Sequence, residues 1–84
     1  MKDKCLTTDI NDLVWKENVN QIKKWGIQDR SPFEWLTYLT EEVGELACAI
    51  SENEYRDGTP QDVTNEAIQV ATLALKIAEM YYEL

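Results

Sequence analysis

The residues with the most chemistry in them are Glu41, Glu42 and Glu45, inside the run Thr40-Glu41-Glu42-Val43-Gly44-Glu45-Leu46. Glu42 and Glu45 are three residues apart and Glu41 and Glu45 four apart, so on a helix all three carboxylates project from nearly one face. Like charges at these spacings oppose a helix by roughly 0.2–0.5 kcal/mol per pair. No Lys or Arg lies between Ser31 and Tyr55 to relieve them. A cation from outside would, and clustered carboxylate oxygens are the ligands that hard divalent ions such as Mg2+ or Mn2+ prefer. The plain alternative is a solvated acidic face that tolerates mild repulsion.

Three helices are expected to carry these groups. From Thr8 or Asp9, apolar residues at Ile10, Leu13, Val14, Val19, Ile22 and Trp25 follow a helical stripe that stops at Gly26, which predicts a helix over about 9–25. Lys23 and Lys24 fall in its last turn, where cations suit the negative end of the helix dipole; phosphate contact is the other reading. Trp15 and Trp25 are expected in the core or as one wall of a base pocket, with Trp35 and Tyr38 as further pocket candidates. Ser31-Pro32-Phe33-Glu34 is the signature of a capping box with Pro at the first helical position, opening a second helix over about 32–55. Its buried stripe is expected to be Phe33, Leu36, Leu39, Val43, Leu46, Ala47 and Ile50, with the three glutamates at the border. Gly44, aligned with Thr40 and Cys48, is expected at a close approach, and Gly58 in a left-handed turn after the helix.

Thr59-Pro60-Gln61-Asp62 repeats the entry pattern and predicts a third helix over about 60–83. That helix is apolar over most of its circumference, which calls for a covering subunit. On its polar strip Glu66 and Gln69 repeat the three-residue spacing of Glu42 and Glu45, so the two pairs can face each other.

At 84 residues the chain is one domain, 1–84, near the lower size for a sufficient core. The expected architecture is therefore all-α, a three-helix protomer assembling into an oligomeric helical bundle, as a homodimer or homotetramer. Residues 1–8 are expected to fray, and they lack the apolar stretch of a secretory leader. With no apolar run of membrane length, a cytoplasmic location with no membrane contact is expected. Cys5 and Cys48 lack zinc-site spacing and the chain has no His. Sixteen acidic against eight basic residues give a net charge of −8, which repels a nucleic acid polymer but admits a small phosphorylated ligand bridged by a divalent ion.

The pattern resembles the all-α nucleoside triphosphate pyrophosphohydrolases of the MazG-like superfamily, whose signature is E-E-x-x-E on one helix and E-x-x-D on the next. Leu39-Thr40-Glu41-Glu42-Val43-Gly44-Glu45-Leu46-Ala47 matches the first half in full, and Glu66-Ala67-Ile68-Gln69 matches the second except that Gln69 stands where the family has Asp. The resemblance spans roughly residues 9–84. It implies Mg2+, with Mn2+ able to substitute, held by Glu42, Glu45, Glu66 and Gln69, and a nucleoside triphosphate substrate split into monophosphate and pyrophosphate, as in nucleotide-pool house-cleaning. Glu41, or another carboxylate free of the metal, would activate water. An amide at Gln69 implies weaker or fewer metals. Many members of that family carry further basic residues after the third helix; here the cations available for phosphate are Lys23, Lys24, Arg30 and Lys76. The alternatives are a degenerate metal- and nucleotide-binding module with little catalysis, and a purely structural helical oligomer.

Overall fold

Local chemistry sets the helix ends. In the computed structural model, which describes residues 8–82, helix α1 runs Thr8–Trp25, α2 runs Pro32–Tyr55 and α3 runs Pro60–Tyr82. The expected ends near 9, 25, 32, 55 and 60 are met to within a residue; of the segment 1–8 expected to fray, Thr8 instead opens α1 and residues 1–7 lie outside the described residues, as does the third helix's expected end at Glu83. Gly26 adopts φ 74°, a left-handed stop for α1, and its N–H donates to the Ile22 carbonyl at 2.7 Å. The Ser31 capping box is complete: the Glu34 N–H donates to Ser31 Oγ at 3.2 Å, and the Ser31 N–H donates to Glu34 Oε1 at 3.1 Å. That backbone donor holds the Glu34 carboxyl below its ordinary pKa. At the head of α3 the Asp62 N–H donates to Thr59 Oγ1 at 3.2 Å.

Helix α3 packs against both α2 and α1, more extensively against α2, while α1 and α2 do not approach each other. The bundle is therefore splayed, with α3 as its floor and an open cleft between the other two helices. Antiparallel packing of α2 on α3 fixes one register. Glu42 faces Gln69, and seven residues away along each helix Trp35 faces Lys76. Two helical turns separate these pairs, about 10 Å along the axis.

The single-chain core is small. Among the described residues only Leu73, Thr72 and Gln21 are buried. The stripe expected to be buried on α2 is largely open: Phe33 is 79% exposed, Leu36, Val43 and Ile50 are exposed as well, and only Leu39 and Leu46 are partly covered. Trp15 and Trp25, expected in the core, are 66% and 57% exposed. These corrections share one cause, since α1 and α2 do not pack against each other and each leaves the other's apolar side uncovered. Gly44 is likewise exposed, with nothing within 4 Å of a Cβ placed there, so the close approach expected at Thr40, Gly44 and Cys48 does not occur within one chain. Among the described residues no helix is long and apolar enough to cross a membrane.

Gly58 departs from expectation in conformation but not in its need for glycine. Its φ is not positive; instead its N–H donates to the Glu52 carbonyl at 3.0 Å, which brings it so close that a Cβ would lie 2.7 Å from the Glu52 carbonyl carbon. Gly58→Ala must therefore displace backbone, and a loss of about 1–3 kcal/mol is expected in urea unfolding, the usual cost of overpacking. A variant as stable as the parent would mean that the α2–α3 turn yields freely.

Candidate metal centre and its cleft

The register of α2 on α3 brings the two acidic spacings together. One carboxylate oxygen from each of Glu42, Glu45 and Glu66 lies within 4.8 Å of the other two. On α2 the three-residue step places Glu42 and Glu45 on one face, and the same step on α3 places Glu66 and Gln69 opposite them. Gln69, with its amide nitrogen turned toward α2, donates from Nε2 to both Glu42 oxygens at 3.2 Å each. The reverse orientation would set an amide oxygen against acceptors alone.

Two signs show that the cluster is electrostatically strained. The Glu42 carboxyl is pushed up to about 7, first by loss of solvent, then by its hydrogen bond to Glu66 and the negative charges of Glu45 and Glu66. Glu66 Oε2 is buried without a hydrogen-bond partner. A buried acceptor left unmatched costs about 1–3 kcal/mol, so such an atom is a natural place for a ligand. Three carboxylates form an all-oxygen donor set of the kind Mg2+ and Mn2+ take, and among the described residues no sulfur or imidazole joins them. The residues present fit a hard divalent cation.

Of the cluster, Glu42 lines a cleft of about 550 Å3, as does Gln69, whereas Glu45 and Glu66 are not among its lining residues; the rest of the lining comes from all three helices and the connection between α1 and α2. Glu41 lines this cleft but lies outside the three-carboxylate cluster. Of the substrate-binding candidates, Trp25 and Arg30 line it, as do Trp35, Tyr38 and Lys76; Trp15, Lys23 and Lys24 are not among its lining residues. Instead Lys24 lies over the Trp25 ring, 4.9 Å from its centroid. Trp35 and Tyr38 meet edge to face at 6.1 Å, and each carries a cation on its ring: Lys76 at 5.2 Å from the Trp35 centroid and Arg30 at 5.0 Å from that of Tyr38. Arg30 also pairs with Glu34 at 3.4 Å.

One residue of the cleft escaped the sequence reading. Gln21 is a buried polar side chain on α1, and its Oε1 accepts a hydrogen bond from Lys76 Nζ. The signal available was a Gln one turn before Trp25 on a helix side otherwise rich in apolar residues, which ordinary helix patterning leaves unexplained.

The raised Glu42 carboxyl gives a signed pH dependence. Its pKa in the folded chain, about 7, exceeds the ordinary 4.5, so the folded state favours the proton. The associated stability is present below pH 4.5 and is lost as pH rises through 7. With chelator present, thermal melts should fall across this window, and Glu42→Gln should flatten that fall; equal slopes in both proteins would refute it. Compared with known proteins, the chain matches no family model, no curated protein and no solved structure.

Proposed function

We propose that this chain is a Mg2+-dependent nucleoside triphosphate pyrophosphohydrolase, in line with its resemblance to the MazG-like superfamily. The observation that carries the reading is the convergence of Glu42, Glu45 and Glu66, the first of which lines the cleft, with Gln69 as a fourth polar partner. A helical face that merely carried charge would have no reason to aim carboxylates from two helices at one point. Glu42, Glu45 and Glu66 would hold the ion, with the Gln69 amide oxygen turned inward as a neutral fourth ligand. Bound there, a divalent cation supplies charge screening of the phosphates and polarises the phosphorus under attack.

The chain's own residues account for the remaining steps. Glu41 borders the cleft outside the cluster, so one of its carboxylate oxygens is free to accept the proton of the attacking water. The water oxygen forms a bond to the α-phosphorus, the bond from that phosphorus to the α–β bridging oxygen breaks, and pyrophosphate leaves with the electron pair. In the same cleft Trp25 and Ile27, 57% and 91% exposed, offer apolar surface against which a base can pack. Cys48 is an exposed thiol away from the cleft lining and takes no part.

The assembly we propose is a homodimer or homotetramer. The apolar side chains left open on α2 and α3, among them Phe33, Val43, Leu75 and Tyr81, are better satisfied against a second copy than against water. Light scattering at micromolar concentration should report two or four chains, and a persistent monomer would defeat this part.

The decisive assay offers a panel of canonical and modified nucleoside triphosphates and follows pyrophosphate release. Turnover should require Mg2+ or Mn2+, and Glu42→Gln should lower it by at least about a hundredfold, the scale of losing electrostatic stabilisation in the transition state. Millimolar Mg2+ should also raise the melting temperature of the parent but not of Glu42→Gln. Metal-dependent nucleotide binding without turnover would favour a degenerate binding module instead. No response to the ion would leave a structural bundle.

A further inference from the structure

Charge balance within the cleft raises a question that the acidic cluster does not answer. Three carboxylates and one divalent ion still sum to a single negative charge, on a chain whose net charge is −8. A triphosphate brought there needs positive charge from another source. Among the described residues, the cations that line the cleft are Arg30 and Lys76. Arg30 is already paired with the Glu34 carboxylate, whereas the ion pairs of the described residues, Arg30–Glu34 and Arg56–Glu52, leave Lys76 out.

Lys76 is also held in an unusual way. Its ammonium is partly buried, donates to the carbonyl oxygen of the Gln21 side chain and lies over the face of Trp35. Gln21 is fixed in turn, since its Nε2 donates to Glu17 Oε1 at 3.4 Å and its side chain is buried. Burial of Lys76 lowers its pKa and the Glu17 charge offsets this only in part, so the ammonium is incompletely compensated. An ammonium has three donors; one is used on the neutral Gln21 oxygen, and the charge lies over the Trp35 ring. The one buried residue of α1, Gln21, holds this cation, which has no direct ion-pair partner, inside the cleft.

We propose that Lys76, positioned by Gln21, is the cation that receives the polyphosphate tail of the substrate. This inference rests on the function proposed above and assigns the phosphate grip to residues of one protomer. Lys76 is seven residues after Gln69, two turns further along α3 and about 10 Å from the cluster, a distance a phosphate chain resting on the cluster can bridge. A phosphate suits this point better than a base does. The Trp35 face on which a ring would stack is taken by the ammonium itself, and a lysine discriminates poorly among base edges while it binds phosphate as a point charge.

Because the preferred base is unknown, the test uses a probe without one. Magnesium tripolyphosphate is titrated calorimetrically into the full chain at fixed free Mg2+, and Mn2+ alone is titrated separately. Lys76→Met should weaken tripolyphosphate by about ten- to a hundredfold, the equivalent of one hydrogen bond to a charged group, while Mn2+ binding stays within about twofold. Gln21→Leu should give a smaller loss and Lys76→Arg should recover part of the affinity; circular dichroism confirms that each variant is helical. If the parent fails to bind Mn2+, the proposed function itself is wrong. If the parent binds both probes and Lys76→Met or its folded companion Lys76→Gln binds tripolyphosphate as well as the parent, the assignment of Lys76 is wrong and the function stands.

Discussion

The structure depends on one antiparallel register, that of α2 against α3. A slip of one turn in either direction would separate Glu42 from Gln69 and Trp35 from Lys76 together, because both pairs belong to the same alignment. The register is expensive as well as productive. Two fully ionised carboxylates about 5 Å apart repel by roughly 3 kcal/mol at an effective dielectric of 20, and the cluster contains three such pairs. The folded chain offsets this through the packing of α2 on α3, through the Gln69 amide, and through a proton retained on Glu42. Stability is thereby exchanged for a concentrated acidic point.

Splaying follows from the same helix being asked to serve two partners. Since α1 and α2 each hold α3 but not one another, the space between them stays open and collects polar groups from all three helices: Gln21 from α1, Glu41 and Glu42 from α2, Gln69 and Lys76 from α3. A tighter three-helix bundle would have filled this volume with side chains. Leaving it open costs core, which is why only three described residues are buried and why so much of the apolar surface of α2 and α3 faces outward.

What the sequence made legible was what short-range chemistry controls. Ser31, Pro32 and Glu34 determine where α2 begins within a few residues of themselves, and Gly26 ends α1 by its own φ, so these boundaries could be read without the fold. The facing of the two acidic spacings was legible for a different reason: a three-residue step on two helices makes sense only if the faces meet. Burial was not legible, because periodicity identifies an apolar side without saying whether one chain contains its cover; Phe33 and Trp15 are the clearest cases. Gln21 was invisible because its role depends on Lys76, a residue 55 positions away. Gly58 was assigned the wrong conformation because its constraint comes from the Glu52 backbone rather than from its own φ.

Gln69 brings these strands together. A carboxylate at this position would add a fourth negative charge to a point where Glu42 already holds its proton to about pH 7, and it would have no hydrogen to offer. The amide has both a donor and an acceptor on one freely turning group. With nitrogen inward it donates to both oxygens of Glu42 and so holds the two helices in register through the very residue that strains them. With oxygen inward it would present a neutral ligand to a cation, at the cost of those bonds. The inward nitrogen holds the acidic point together without adding charge to it, and on the proposed reading a cation would have to be worth more than those two bonds before the amide oxygen could turn toward it.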